Sequence, residues 1–167
     1  MSHEHPVWDR WPGDVVWRPV SPRLTLLRVV SLLGSGVPIT AGATALSWLW
    51  WGSPWWQIVG GGFVVFLLAR IVLIRRVVRS WGYAERDDDL LIRHGLWTRR
   101  LSIVPYGRMQ FIDLSANPLQ RMFDLSTVKL HTASAGSDST VPGLAPADAA
   151  ALRDRLAERA HREREGL

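Results

Sequence analysis

Residues 24–74 have the sequence LTLLRVVSLLGSGVPITAGATALSWLWWGSPWWQIVGGGFVVFLLARIVLI, and this stretch decides the fold. It contains two apolar runs, Leu24–Trp51 and Trp55–Ile74, and each reaches the about 20 residues that a helix needs to cross a bilayer. Lipid offers the backbone no hydrogen-bond partners, so both runs are predicted to be α-helices. Because only residues 52–54 separate them, the two helices are predicted to form an antiparallel transmembrane hairpin.

The two ends of the predicted hairpin differ in composition. Tryptophan favours the headgroup level of a membrane, and the turn is flanked by the tryptophans Trp48, Trp50, Trp51, Trp55 and Trp56. The opposite end carries arginine, and its predicted interface anchors are Arg23, Arg28, Arg70, Arg75 and Arg76. By the positive-inside rule, this predicts a two-pass protein of the cell membrane with both termini in the cytoplasm.

Arg28 and Arg70 are the charges inside the apolar runs, and they lie at similar depth from the arginine-rich end. In the favoured interpretation, both side chains snorkel to lipid phosphates. The alternative is a functional charge, for example along a substrate path. That alternative is the weaker one, because neither run contains an acidic partner.

Small residues in both runs predict close contact between helices. Gly34 and Gly36 in the first run and residues 60–62 in the second could serve the hairpin itself or the helices of a partner. Pro38 predicts a kink in the first helix. A signal peptide cleaved near residues 41–43 is disfavoured, because the apolar character continues beyond that point.

The charge distribution argues against nucleic-acid binding. Residues 1–78 contain seven arginines and three acids, a net charge of +4, whereas residues 79–167 contain thirteen basic and twelve acidic side chains, a net charge of +1. The excess charge therefore flanks the apolar runs, which is typical of a topology signal and not of a phosphate-binding surface. The chain has no cysteine, which excludes disulfides, zinc–thiolate sites and cysteine nucleophiles.

After residue 80 the hydrophobic period changes to that of β-structure. Alternation and turn residues predict a helical turn at Leu119–Phe123 and six strands, at Tyr83–Glu85, Leu90–Arg93, Leu96–Val104, Met109–Ser115, Leu125–Thr132 and Ser139–Val141. Pro146 then suits the first turn of a helix. Its apolar stripe is predicted to cover the sheet over three turns and consists of Ala149, Leu152, Leu156 and Ala160.

These patterns divide the chain into four parts. The first is a cytoplasmic segment, 1–23, predicted to be irregular with its tryptophans along the membrane surface. The hairpin occupies 24–76, with helices at about 24–51 and 55–75. An antiparallel β domain with a C-terminal capping helix follows at 79–162, and 163–167 form a tail. The predicted fold class is therefore an α+β membrane protein.

The second half resembles the bacterial PH-like domain of YdbS-type membrane proteins. The resemblance rests on VPYGRMQFIDLSANPLQRMFDLSTVKLHTASAG at 104–136 and VPGL at 141–144. Pro105, Tyr106 and Arg121 are among the matching positions. One departure is Asp124, where the family usually has glycine, and this makes the turn into the next strand less regular. The resemblance implies a PH-like β-barrel or sandwich behind a two-helix anchor, no established catalysis, and a partner membrane protein with repeated copies of the same domain.

The residues themselves point to no reaction. No nucleophile–base pair, phosphate-binding loop or metal motif occurs. Asp87-Asp88-Asp89 is more typical of a solvated turn than of a metal site, and residues 134–139 are more typical of a hairpin turn than of a phosphate cradle. We therefore expect that the protein has no enzymatic activity and binds neither a cofactor nor a metal ion.

Two functional hypotheses follow, with a third behind them. In the first, the PH-like domain binds a partner membrane protein, or a second copy of itself, through polar residues on adjacent β segments: Arg99, Arg100, Arg108, Gln110 and Arg121. In the second, the same arginines recognise anionic lipid headgroups, although the nearly neutral domain weakens this idea. The third is a subunit of an oligomeric transport or export complex.

Overall fold

The computed structural model describes residues 15–51, 54–132 and 139–166. The predicted turn residues Gly52 and Ser53, most of the N-terminal segment and the motif residues 133–136 lie outside the described residues. The described residues form two compact units. We call Pro22–Val78 the hairpin unit, and we call the remainder, up to Ser21 and from Arg79 onward, the β unit.

Two long helices, α1 (Arg23–Trp51) and α2 (Trp55–Ser80), account for the predicted hairpin. Both are long and apolar enough to cross a membrane. At 1.5 Å per residue they measure about 43 and 39 Å, more than the ~30 Å of hydrocarbon. The two predicted helices of the hairpin are therefore confirmed. The second helix ends five residues later than predicted, because hydropathy marks where the apolar run stops and not where the helix stops.

The two helices of the hairpin unit approach each other at particular small residues. A side-chain carbon added at Gly36 would lie 2.7 Å from Leu67 Cδ2, and one at Gly60 would lie 3.5 Å from Thr44. By contrast, nothing lies within 4 Å of a carbon added at Gly34, Gly42, Gly61 or Gly62. The intramolecular contact thus uses only part of the small-residue surface. The kink at Pro38 stays a prediction.

Seven strands of the β unit form two antiparallel sheets. The first sheet has the order β1-β2-β3-β4, and its strands are Arg18–Pro19, Gly82–Glu85, Asp89–His94 and Arg100–Pro105. The second has the order β5-β6-β7, with strands Met109–Ser115, Ser126–Thr132 and Ser139–Leu144. A 3-10 turn (Tyr106–Arg108) joins the sheets, α3 (Pro118–Met122) lies between β5 and β6, and α4 (Pro146–Glu165) follows β7.

The core of the β unit lies between these sheets and α4. Leu90 and Ile92 from β3 and Val128 and Leu130 from β6 are buried there. The predicted stripe of α4 completes the core with Ala149, Leu152, Leu156 and Ala160, all at most 2% exposed. These four residues span positions 149–160 of α4, which is about three turns.

Two turns in the β unit have the geometry that their sequence suggests. Asn117 Oδ1 accepts the Gln120 N–H at 2.7 Å and Gln120 Oε1 accepts the Asn117 N–H at 3.0 Å, a capping box at the start of α3. Asp124 has φ 51°, so the position where the resemblance implies glycine does adopt the left-handed conformation. Aspartate tolerates that conformation better than most residues.

Several boundaries differ from the sequence prediction. Arg18 and Pro19, assigned to an irregular segment, pair with β2, and the nearby Trp17 ring lies 4.5 Å from the Arg93 guanidinium. A two-residue strand has no period that a sequence can show. Residues 96–99 are not extended as predicted, because the chain makes a tight turn at Gly95 (φ 109°). A Cβ atom at this position would collide with the Thr98 carbonyl oxygen. Furthermore, β7 runs to Leu144 and α4 to Glu165.

Candidate interaction surfaces

The structure does not gather the five predicted interaction residues into one site. Arg99 and Arg100 lie at the start of β4, whereas Arg108 and Gln110 lie beyond its other end. Five residues of strand, 101–105, lie between these pairs, which is about 17 Å. Arg121 is on α3, past the far end of β5. All five side chains are exposed, but they belong to at least two separate surfaces.

The surface at β4 is the most apolar exposed region among the described residues of the β unit. Trp97 is 91% exposed in the turn before β4, and Leu101 and Ile103 are 38% and 54% exposed on the strand. Ser102 and Val104 face the core side, opposite Ile92 and Leu90 of β3. We define the β4 surface as Trp97, Arg99, Arg100, Leu101 and Ile103.

β4 is also the last strand of its sheet. Its residues 100–105 pair with β3 on one side, and no described strand pairs with the other side. An unpaired edge presents a row of N–H and C=O groups that another chain can use. Proteins usually protect such an edge with charge or proline. Arg100 and Pro105 lie at the two ends of β4, but the exposed Leu101 and Ile103 between them are apolar.

The charge at this end of β4 comes from arginine and not from histidine. His94 pairs with Arg100 across the strands and stacks on Trp81 with ring centroids 4.6 Å apart. Burial and the neighbouring Arg100 charge lower the pKa of His94, so the imidazole is neutral at neutral pH. The β4 surface therefore combines one large aromatic side chain with two guanidinium groups, residue types that dominate binding energy at protein interfaces.

A second, smaller feature lies between β5 and α4. Its groove has a volume of about 190 Å³, and its lining includes Gln110 and Phe111 from β5 and Arg153 from α4. Phe111 is 57% exposed and stacks on His131, with ring centroids 4.1 Å apart. The volume is below the 300 Å³ or more that is typical of small-molecule sites, so the groove suits at most a single side chain.

A third cluster, which the sequence did not indicate, surrounds Glu85 on β2. Arg155 on α4 donates two hydrogen bonds to its carboxylate, at 3.1 and 2.8 Å, and Arg18 and Arg159 lie 3.7 and 4.0 Å away. Burial alone would raise the pKa of Glu85, but the Arg155 hydrogen bond and the three cationic neighbours together hold it below its usual range. Arg155 and Arg159 lie outside the apolar stripe of α4. The packing of α4 on the sheet brings both side chains next to Glu85.

Tyr106, one of the motif residues, extends this cluster into the core. Its ring is fully buried, its hydroxyl donates to the Arg86 carbonyl at 3.0 Å, and Arg159 donates to both of these oxygens. Burial raises the pKa of Tyr106 and outweighs the opposing Arg159 hydrogen bond. The cluster thus ties α4 to β2 and to the 3-10 turn, and its role is structural.

The membrane-facing residues are placed as follows. Of the predicted anchors, Trp48, Trp50, Trp55 and Trp56 are exposed at the end of α1 and the start of α2, while the side chain of Trp51 lies outside the described residues. Arg23 and Arg28 lie in the first two turns of α1, and Arg70, Arg75 and Arg76 in the second half of α2. Their role as anchors stays a prediction.

The next question is whether the described residues contain a site for a metal or a cofactor. Within residues 15–51, 54–132 and 139–166, no group of three His, Asp or Glu side chains could hold a metal ion. Most of the alternative phosphate cradle at 134–139 lies outside those residues. His94 and His131 stack on aromatic rings, which gives each a structural role.

Comparison with known proteins agrees with this architecture. The family model described as "Bacterial PH domain" matches residues 24–160, which include both the hairpin and most of the β unit. The transmembrane protein YdbS of Bacillus subtilis (strain 168) is 30% identical over 106 residues. That match covers 62% of this chain and 65% of the relative's length. No solved structure matches the chain.

Proposed function

This chain belongs to the bacterial PH domain family, as its sequence motif predicted, and from that premise we propose that it is a non-enzymatic, membrane-anchored module that binds a partner membrane protein. The β4 surface is the proposed contact. The observation that carries the proposal is Trp97, which is 91% exposed beside two arginines at the unpaired edge of a sheet.

The edge strand supports a protein partner through its backbone. An extended segment of a partner that lies along residues 100–104 would pair with the outward N–H and C=O groups of β4, with which no described strand pairs, as in other cases of strand addition. Leu101 and Ile103 would then meet alternate side chains of that segment, since both point to the same face. Backbone pairing of this kind would supply affinity, and the side chains would supply specificity.

The arginines add a requirement on the charge of the partner. Guanidinium groups bind carboxylates through two parallel hydrogen bonds, so Arg99 and Arg100 favour an acidic segment. The partner we propose is a membrane protein with repeated PH-like domains, or a second copy of this chain. The topology that we propose, from the arginine-rich end of the hairpin, places this contact on the cytoplasmic side of the cell membrane.

Recognition of anionic lipid headgroups is the second candidate, and it rests on the same Trp97. An exposed indole beside cations also suits a membrane interface. The net charge of +1 on residues 79–167 counts against it, because electrostatic attraction to an anionic leaflet contributes only about 1 kcal/mol per basic residue.

A photo-crosslinking experiment separates the two candidates. A benzophenone amino acid replaces Trp97 in the full chain, the cells are irradiated, and the products are identified by mass spectrometry. We expect crosslinks to a membrane protein of the PH-like type or to a second copy of this chain. Crosslinks to phospholipid alone would replace this proposal with the lipid candidate.

A pair of double variants tests the energetics of the contact. Trp97→Ala with Arg100→Ala should lower recovery of the partner that co-purifies with the full chain at least about tenfold, since each residue is of a type that contributes 1–2 kcal/mol or more at interfaces. The matched control is Met122→Ala with Arg121→Ala, which removes an exposed apolar side chain and an adjacent arginine on α3. Equal losses in both variants would contradict the assignment to β4.

A further inference from the structure

The hairpin unit contains a groove of its own between α1 and α2. Its volume is about 400 Å³, within the range of small-molecule sites. Arg28 and Arg70 line it together with Ser31 and Ser35, and the remaining walls are apolar: Leu27, Leu32, Leu73, Ile74 and Val77. The sequence predicted a similar depth for the two arginines, and the structure places both on one groove.

The charges of these arginines are not compensated within the span. Residues 24–74 contain no aspartate or glutamate, and no carboxylate of the described residues forms an ion pair with Arg28 or Arg70. Two cations at a membrane-embedded groove are costly unless an anion from outside the hairpin neutralises them. A negatively charged occupant of the groove would neutralise both arginines.

The depth of the groove indicates the source of that anion. Arg28 lies five residues after Arg23, and Arg70 lies five residues before Arg75. At 1.5 Å per residue, both lie about 7.5 Å inside the arginine-rich edge of the hairpin. Arginine side chains at that depth reach the boundary between headgroups and acyl chains, where lipid phosphates are found.

We propose that this groove is a binding site for an anionic phospholipid. The phosphate accepts hydrogen bonds from both guanidinium groups, whose forked donors match its oxygens. One acyl chain of the same lipid lies against the apolar wall formed by Leu32, Leu73 and Val77. Two cations without a nearby acid favour a lipid of net negative charge over a zwitterionic one. This site is in the hairpin unit, so it is independent of the proposed partner contact at β4.

Native mass spectrometry of the full chain tests the site. The protein is reconstituted into nanodiscs of equimolar phosphatidylglycerol and phosphatidylcholine with matched acyl chains, and the lipids retained after release are counted. We expect phosphatidylglycerol to be retained in preference, and Arg28→Gln with Arg70→Gln to lower that preference at least about tenfold, as expected for the loss of charge-assisted hydrogen bonds. The matched control, Arg75→Gln with Arg76→Gln, removes the same charge outside the groove and should lower the preference by a smaller factor, because it weakens only the general attraction to an anionic leaflet.

A third variant separates the groove from the charges that line it. Ser31→Phe keeps both arginines and fills the groove, so it should also lose the bound lipid. Circular dichroism checks that every variant remains helical. Equal losses in the groove and control variants, equal retention of the two lipids, or unchanged retention in Ser31→Phe would overturn the proposal. So would replacement of the lipid by a co-purifying protein with an acidic residue in its membrane span.

Discussion

The two units of this chain place the same residue types in opposite surroundings. In the β unit, Leu156 is completely buried and Arg155 binds the Glu85 carboxylate. In the hairpin unit, Leu68 is 58% exposed on the surface that faces lipid, and Arg28 lines a groove with no carboxylate in the span. The role of a leucine or an arginine is therefore set by the solvent around it and by what the fold brings within reach.

This contrast has an energetic consequence. Burial from water drives the packing of the β unit at about 25 cal/mol per Å² of apolar surface. Lipid tails are as apolar as leucine, so helices in a membrane gain no comparable hydrophobic energy from packing together. We expect apolar truncations to be costly in the β unit and mild on the lipid-facing side of the hairpin unit.

The largest expected effect tests this asymmetry directly. Leu156→Ala should lower the free energy of unfolding of the β unit by about 3 kcal/mol, because it leaves a cavity in the core. For a unit of this size that corresponds to a drop of roughly 10 °C or more in the midpoint of thermal unfolding. Leu68→Ala is the matched control, with an expected change below about 1 kcal/mol. Circular dichroism melts of the full chain in detergent measure both changes. Similar losses in the two variants would contradict the expected difference between the two units.

The second-largest expected effect concerns the arginines that pair with the Glu85 carboxylate. Glu85→Gln should lower the free energy of unfolding by about 2 kcal/mol, since it removes the charge that Arg155, Arg159 and Arg18 share. The control is Asp154→Asn, whose carboxylate is 67% exposed and pairs with Arg153 at the surface. Its expected loss is at most about 0.5 kcal/mol in the same melts. If both variants behave alike, the Glu85 cluster is no more than a surface ion pair.

The pH dependence of stability sharpens this prediction. The folded state holds the pKa of Glu85 below the value of 4.5 that an unperturbed glutamate has. The carboxylate therefore contributes its full stabilisation above pH 4.5, and that contribution is lost as the pH falls through the lower, folded pKa. The difference in melting midpoint between wild type and Glu85→Gln should be constant near neutral pH and shrink in acid. A difference that grows in acid would reverse the assigned direction of the pKa shift.

The smallest expected effect lies at the contact between the two transmembrane helices. Gly36→Ala places a methyl group 2.7 Å from the present position of Leu67 Cδ2, which can move because it is the end of a flexible side chain. We expect a loss of at most about 1 kcal/mol in hairpin stability. Gly34→Ala, with open space around it, should be neutral or slightly stabilising because alanine favours the helix. Energy transfer between labels on the two helices during titration with sodium dodecyl sulfate measures both.

Much of the fold could be predicted because its signals are local. The apolar runs are long and contiguous, so they predict α1 and α2 without any knowledge of their neighbours. The stripe Ala149, Leu152, Leu156 and Ala160 follows the helical period, and the structure buries all four. The motif from residue 104 onward predicted the family, which the family comparison confirmed.

The parts that sequence reasoning missed depend on residues that are distant along the chain. β1 is only two residues long and is fixed by its partner β2, more than sixty residues later. Glu85 and Arg155 are 70 residues apart, and no pattern within either segment indicates their contact. The candidate residues around Arg99 and Arg121 were also grouped by residue type, whereas strand lengths place them on separate surfaces.

The sequence by itself therefore determined the two apolar helices, the order of strands and helices from α1 onward, the core face of α4 and the family. Each of these can be predicted from residues that are close in sequence, because the length and period of an apolar pattern are properties of a single helix or strand. Only the tertiary structure decided that Arg155 binds a carboxylate, that β4 is an open edge with an exposed Trp97, and that Arg28 and Arg70 line a single groove. These features arise from the packing of separate elements, and packing is set by three-dimensional proximity and not by position along the chain.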